Sequence, residues 1–219
     1  MPAIYKKDNN IMRVVKTAEE RKNEILDVAE QLFAEKGFDN ASTNDIINRI
    51  GIARGTLYHH FKSKEEILDA IVERMTRTGI ARAKAIVSDK KVPILDRLTG
   101  AILALNINTE AGAEVFEQIH KPQNALLHQK MEDRLLSGVV PIIAELIEEG
   151  NKAGMFDSKY PEEAAEMIML YSNTVFDERS DHTPEVVARK AMAFIHHTER
   201  ILGAKEKSLE SAIMNIIVQ

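Results

Sequence analysis

Residues 42–64 read STNDIINRIGIARGTLYHHFKSK. Ile46, Ile47 and Ile50 form an apolar face on a short helix, and Gly51 follows where that helix must turn. Ser42 with Asp45 three residues later resembles a capping box at its start. Ile52 packs inward as the turn closes. Leu57 and Phe61 give the next short helix, about 54–61, its buried stripe. Two short helices joined through a tight glycine turn make a helix-turn-helix. The outward positions of the second helix are Arg54, Gly55, Thr56, Tyr58 and His59. They offer donors, a small residue and an aromatic hydroxyl, but no carboxylate. Such a face can enter a major groove, where carboxylates would be repelled by phosphate.

Working outward, residues 17–36 read as one helix with Ile25, Leu26, Ala29, Leu32 and Phe33 on one stripe and Gly37 as its C-cap. Residues 1–16, with Lys6, Lys7, Arg13 and Lys16, read as a flexible basic arm. Downstream, Ser63 and Glu66 form an S-x-x-E box that opens a long helix to about Val87. Beyond it the helical period continues to the end of the chain: about 93–108, 111–119, 122–152, 161–176, 184–202 and a terminal stretch with Leu209, Ile213, Ile216 and Ile217. Pro141 is expected to kink or split the 122–152 helix. The chain is therefore read as all-α. An N-terminal three-helix helix-turn-helix domain (17–64) is joined through a long fourth helix to a C-terminal helical domain (65–219).

The 219 residues contain no cysteine, which excludes disulfides, thiolate metal sites and cysteine nucleophiles and fits a cytoplasmic home. No run of about 18 apolar residues exists, so no membrane span is expected. The basic N-terminus lacks an apolar core and is not read as a secretory signal. The net charge of −5 hides an asymmetry: residues 1–64 sum to +2 and residues 65–219 to −7. A mildly basic head on an acidic body suits a protein whose head alone meets phosphate.

The chain resembles the TetR/AcrR family of transcriptional regulators. The matching residues run from Ile25-Leu26, Ala29 and Phe33 through Gly37-Phe38, Thr43, Ile46, Gly51-Ile52, Gly55-Thr56, Tyr58 and Phe61 to Lys64-Glu65. The likeness covers about residues 17–70; beyond residue 90 only length and helical character agree. It implies that Thr43 touches phosphate, that Arg54 and Thr56 reach base edges, and that Gly55 permits close approach. It implies further that Tyr58 and His59 contact phosphate, sugar or a thymine methyl, and that Lys64 clamps phosphate. Arg54 is the expected guanine contact, because its fork fits O6 and N7. Plainer readings stand beside these: Tyr58 as a half-buried core residue, Thr43 as a cap, His60 as packing, Lys62 and Lys64 as solvated charges.

Residues 164–176 and 186–202 are apolar on more than one face, which calls for burial on both sides. In the resembled family the last two long helices pair across a dimer, so a homodimer through about 161–176 and 184–202 is expected. A small-molecule effector pocket is expected between body helices, with Ile102, Phe116, His120, Leu127, Met131, Leu135, Met167, Tyr171 and Phe176 as candidate lining. The same residues also fit an ordinary core. Glu114, Glu117, His120 and His128 suggest a metal set only weakly, and no metal or cofactor is expected.

These readings combine into a sequence-specific, dimeric regulator of double-stranded operator DNA, a repressor whose affinity a ligand modulates. The alternatives are a nonspecific architectural DNA-binding protein and a helical enzyme. The chain lacks GxSxG, HExxH, P-loop and GxGxxG signatures, and its acidic body argues against nonspecific DNA coating.

Overall fold

The structure is a computed structural model that describes residues 16–105, 110–175 and 183–217. Among them are ten α-helices and no strand: α1 (Ala18–Lys36), α2 (Thr43–Ile50), α3 (Arg54–His60), α4 (Lys64–Ser88), α5 (Ile94–Leu103), α6 (Glu110–Ile119), α7 (Ala125–Lys152), α8 (Pro161–Val175), α9 (Pro184–Leu202) and α10 (Glu210–Ile217). The chain divides into two compact units between Ile67 and Leu68. That is three residues later than the sequence suggested, because the first turn of α4 belongs with the head. The basic arm expected at 1–16 lies outside the described residues except for Lys16.

In the first unit, α1 opens on a reciprocal cap. The Thr17 hydroxyl accepts the Glu20 N–H at 3.2 Å, and the Glu20 carboxylate accepts the Thr17 N–H at 2.7 Å. The α1 stripe Ile25, Leu26, Ala29, Leu32 and Phe33 is buried, as are Ile46, Leu57 and Phe61. Phe33 meets Phe38 edge to face with ring centroids 5.0 Å apart. Each such side chain contributes about 1.5–3 kcal/mol when removed from water. The residues that stamp the helix-turn-helix pattern on the sequence therefore also hold it folded.

In the second unit, α7 lies at the centre of the core. Its Val139, Val140, Ile143, Ala144 and Ile147 join Ala164, Ala165 and Met169 of α8, Ile195 and Leu202 of α9, and Leu209 and Ile213. Its Ile142 and Leu146 join Ala83 and Val87 of α4 and Ala101 of α5 in a second cluster. Pro141 sits inside α7, which runs through it as one helix rather than splitting. A proline in a helix interior costs about 3 kcal/mol. Burial of Val139, Val140, Ile142 and Ile143 around it outweighs that cost. Pro122 opens only a single 3-10 turn (Pro122–Asn124), and α7 begins after it.

Two buried charged groups brace the second unit. Arg97 of α5 is 1% exposed. Its Nε donates to Val92 O at 2.9 Å and its Nη1 to Val87 O at 2.9 Å, while both Nη atoms donate to the Glu149 carboxylate of α7. Lys90 adds a bond to the same carboxylate at 2.8 Å. Arg97 first, then Lys90, pull the Glu149 carboxyl down to about 2. On α9, the buried Glu199 carboxylate accepts the N–H groups of Lys207 and Leu209 at 2.9 and 3.0 Å. That bond pair holds the α9–α10 connection, where Lys207 takes a φ of 63°.

Candidate nucleic-acid interface

The α2–α3 turn is set by its own backbone. Ser42 caps α2, its hydroxyl accepting the Asp45 N–H while the Asp45 carboxylate accepts the Ser42 N–H at 2.9 Å. Gly51 ends α2 at φ 75°, ψ 34°, a left-handed conformation that a side chain disfavours. The N–H groups of Gly51 and Ile52 both return to Ile47 O, at 2.9 and 3.2 Å. The chain then enters α3 at Arg54, with Leu57 fully buried beneath it.

Burying Leu57 turns the opposite side of α3 outward. Arg54, Gly55, Tyr58 and His59 are exposed and Thr56 is half-buried. A Cβ built on Gly55 would meet nothing within 4 Å. Among the described residues no packing requires glycine there, so the gap is available to something from outside. The Thr43 and Tyr58 hydroxyls lie 3.3 Å apart, and the Arg54 guanidinium sits 5.4 Å from the Tyr58 ring centroid. The Thr43 bond first, then Arg54, hold the Tyr58 phenol below its ordinary pKa. At 37% exposure Tyr58 is a surface residue, not a core one. Thr43, Arg54 and Tyr58 thus form one connected cluster across the two helices. His59 stands beside His60 with rings 5.3 Å apart. Burial, then His59, Lys22 and Arg21 lower the pKa of His60, so the packing reading of His60 fits.

Carboxylates near this face are tied down. Asp45 pairs with Lys36 at 3.0 Å, and Glu35 with Arg49 at 2.8 Å. The Ser42 hydroxyl first, then Lys36 and the Ser42 N–H, bring Asp45 down to about 2. These pairs span nine and fourteen residues, so no helical spacing announced them in the sequence. Lys64, expected to clamp phosphate, has its ammonium engaged within the head. Its ammonium donates to the carbonyls of Phe38, Asp39 and Ala41 at 2.6, 3.3 and 3.0 Å, and it lies 4.3 Å from the Phe38 ring centroid. With three N–H donors on three carbonyls, this lysine staples the α1–α2 connection.

The residues named for an effector pocket scatter. Met131 is buried; Ile102, Phe116, His120, Leu127 and Leu135 are half-buried. His120 packs on Phe116 at 4.1 Å and on His128 at 4.7 Å between centroids, with its Nδ1 2.7 Å from Phe116 O. Met167 and Tyr171 are 58% and 44% exposed in the single chain. They belong to the outward side of α8, which the repeated apolar pattern of that helix could not tell from its inward side. Phe176 lies outside the described residues. Glu114 binds the Gln118 side-chain amide at 3.0 Å, Glu117 is exposed, and His128 faces Glu132 at 3.5 Å. Among the described residues no three such groups stand where they could share a metal ion.

Comparisons with known proteins meet this geometry from outside. The family model for bacterial regulatory proteins of the tetR family matches residues 25–71, and that for the tetracyclin repressor-like C-terminal domain matches residues 106–197. Over 92 residues the chain is 38% identical to the HTH-type transcriptional repressor KstR2 of Mycobacterium tuberculosis, covering 42% of this chain and 46% of that one. Over 74 residues it is 39% identical to the HTH-type transcriptional regulator SAB2452 of Staphylococcus aureus, covering 34% and 40%. The matched stretches thus span less than half the length of these curated relatives. A transcriptional regulator from Cytophaga hutchinsonii shares the fold with a TM-score of 0.60 at 17% identity, covering 83% of this chain and 96% of that one. A TetR/AcrR-family regulator from Thermobifida fusca gives 0.54 at 21%, covering 86% and 100%.

Proposed function

Because the chain belongs to the TetR family of bacterial regulatory proteins, whose members are regulators and not enzymes, we propose that it is a sequence-specific repressor of transcription. It binds double-stranded operator DNA as a homodimer, and a small molecule bound in the second unit modulates its affinity. The observation that carries this reading is the outward face of α3. Arg54, Gly55, Thr56, Tyr58 and His59 stand free of carboxylate, over open space at Gly55, with Tyr58 linked to Thr43. Arg54 reads a guanine through its fork, Thr56 a neighbouring base edge. The Thr43–Tyr58 pair and His59 fix register on the sugar-phosphate backbone.

One such head makes too few contacts for a specific operator, and a two-fold dimer reads half-sites roughly 34 Å apart. Residues 161–176 and 184–202 are the proposed interface. Met167, Leu170 and Tyr171 of α8 and Met192 of α9 expose large apolar surface, and Tyr171 stacks on Phe194 with ring planes 10° apart. Helix α4 has its first turn in the head and the rest in the body, so a ligand that shifts α4 changes the spacing of the recognition helices. The ligand must bind the two states unequally to have any effect. No helix among the described residues is long and apolar enough to cross a membrane, and a regulator of this kind works where the chromosome is, in the cytoplasm.

The test is selection of bound duplex from a random pool, then titration of the winner with wild type and Arg54→Ala. A two-fold-symmetric site, bound as a dimer and weakened about 10–100-fold by the substitution, is expected. Binding indifferent to sequence and to Arg54, with a steep salt slope, overturns the reading in favour of an architectural protein.

A further inference from the structure

A cavity of about 260 Å³ opens between α5 and α10 in the second unit. Five of its lining side chains end in hydrogen-bonding groups: Asp96 and Thr99 from α5, and Ser208, Ser211 and Asn215 from α10 and the turn before it. Among the described residues, none of these five side chains has a hydrogen bond or ion pair with the protein. Helical hydroxyls elsewhere in this unit are used differently. Thr78 and Ser88 donate back to carbonyls four residues earlier, both at 2.8 Å. Thr99 makes no such bond to Leu95, so its hydroxyl is left for an outside partner.

Water meets polar groups on any surface, but these stand on walls that are held in an uncommon way. Arg97 and Glu199 are the two charged side chains buried among the described residues, and one stands behind each wall. Arg97 follows Asp96 directly and ties α5 to the Val87 and Val92 carbonyls and to Glu149. Glu199 accepts the N–H groups of Lys207 and Leu209, the two neighbours of Ser208. Leu209, Ala212 and Ile213 then bury the inner side of α10, which leaves Ser208, Ser211 and Asn215 exposed. A buried charge is a poor source of stability beside an apolar residue of like volume, but it fixes the position of what it binds. Polar groups on walls fixed in this way are preorganised for a ligand. We propose that this cavity binds a small, uncharged, polyhydroxylated molecule, a polyol or a monosaccharide. The Asp96 carboxylate accepts from ligand hydroxyls, while the hydroxyl and amide side chains both donate and accept. The volume lies just under the roughly 300–1,000 Å³ of drug-sized sites, which sets the size of the occupant. No cation lines the cavity to pair with an anion, and Leu95 and Ala212 offer little surface to an apolar molecule. The proposal concerns binding within the second unit alone and does not depend on the operator reading.

The test leaves DNA out, so its failure is distinguishable from failure of the operator reading. The full-length protein is titrated by calorimetry and saturation-transfer NMR with glycerol, myo-inositol, ribose and glucose. Gluconate and glucosamine serve as the charged counterparts of glucose. The expected result is saturable binding of at least one uncharged compound, with a Kd of about 1 mM or tighter, and weaker binding of both charged ones. Asp96→Ala and Asn215→Ala should each weaken that binding about tenfold. Both residues are exposed, so the melting temperature of the free protein should not fall. Absence of binding at that strength overturns the proposal. So does tighter binding of either charged compound, or polyol binding that both substitutions leave unchanged.

Discussion

The two units of this chain store their function in different ways. In the head, the residues that build the fold and those that face outward alternate along one short helix: Leu57 is buried while Gly55, Tyr58 and His59 stand exposed. Side-chain direction follows from helical period alone once α3 is recognised. In the body, α8 and α9 are apolar on several faces, and only the packed structure separates the inward Ala165 and Ile195 from the outward Met167 and Met192. A head of this kind can be read locally. A body of this kind has to be folded first.

The sharpest way to break that contrast is to damage the body and ask whether the head still reads its site. Arg97→Met removes the buried guanidinium from all its partners, leaving the Val87 and Val92 carbonyls without that donor and Glu149 without its main cation. Glu149 keeps Lys90 and is partly exposed, so the cost is mainly that of the two carbonyls that lose this donor, about 1–3 kcal/mol. Urea denaturation should report a loss of that order, while the sequence preference of whatever DNA binding remains is unchanged. A changed preference would mean that the body sets specificity as well as stability.

Gly55→Ala probes the head on the opposite axis. The added methyl meets nothing among the described residues, and alanine favours helix by up to about 1 kcal/mol over glycine. Thermal stability should hold or rise slightly while operator affinity falls about tenfold. Equal affinity would show that DNA does not approach α3 closely at that point.

The smallest expected effect separates the units by acidity. Asp45 in the head and Glu149 in the body are both held down at about 2. Each therefore contributes stability that is present above the ordinary carboxyl range and is lost as pH falls from about 4.5 toward 2. Asp45→Asn should flatten the pH dependence of head unfolding in that window and Glu149→Gln that of the body. Hydrogen exchange resolved by segment would check it. A slope unaffected by either substitution would assign acid sensitivity to other groups.

The sequence made the helix-turn-helix legible because its signals are short-range: a serine three residues before an aspartate, a glycine at a left-handed position, apolar residues four apart. The starts of α8 and α9 followed from Pro161 and Pro184, whereas the helix expected to about 108 ends at Leu103. What stayed hidden depends on contacts between distant segments. Arg97 and Glu149 lie 52 residues apart, and Lys64 and Phe38 lie 26 apart. Pro141 did not split its helix, because local geometry says where a helix is weak, not what surrounds it. The cavity between α5 and α10 gave no signal at all, since its two walls lie far apart in the sequence and meet only in the folded chain.

Lys64 carries a consequence for how relatedness is measured. Its ammonium is held as a crown ether holds a cation, by a ring of carbonyl oxygens from Phe38, Asp39 and Ala41. A planar guanidinium, its donors fixed in one fork, does not match three carbonyls set around a compact ammonium. In this chain the lysine is held by the architecture of the head, whatever operator that head reads. A residue of this head that matches the family's pattern thus has a folding role of its own, apart from any part it plays on DNA.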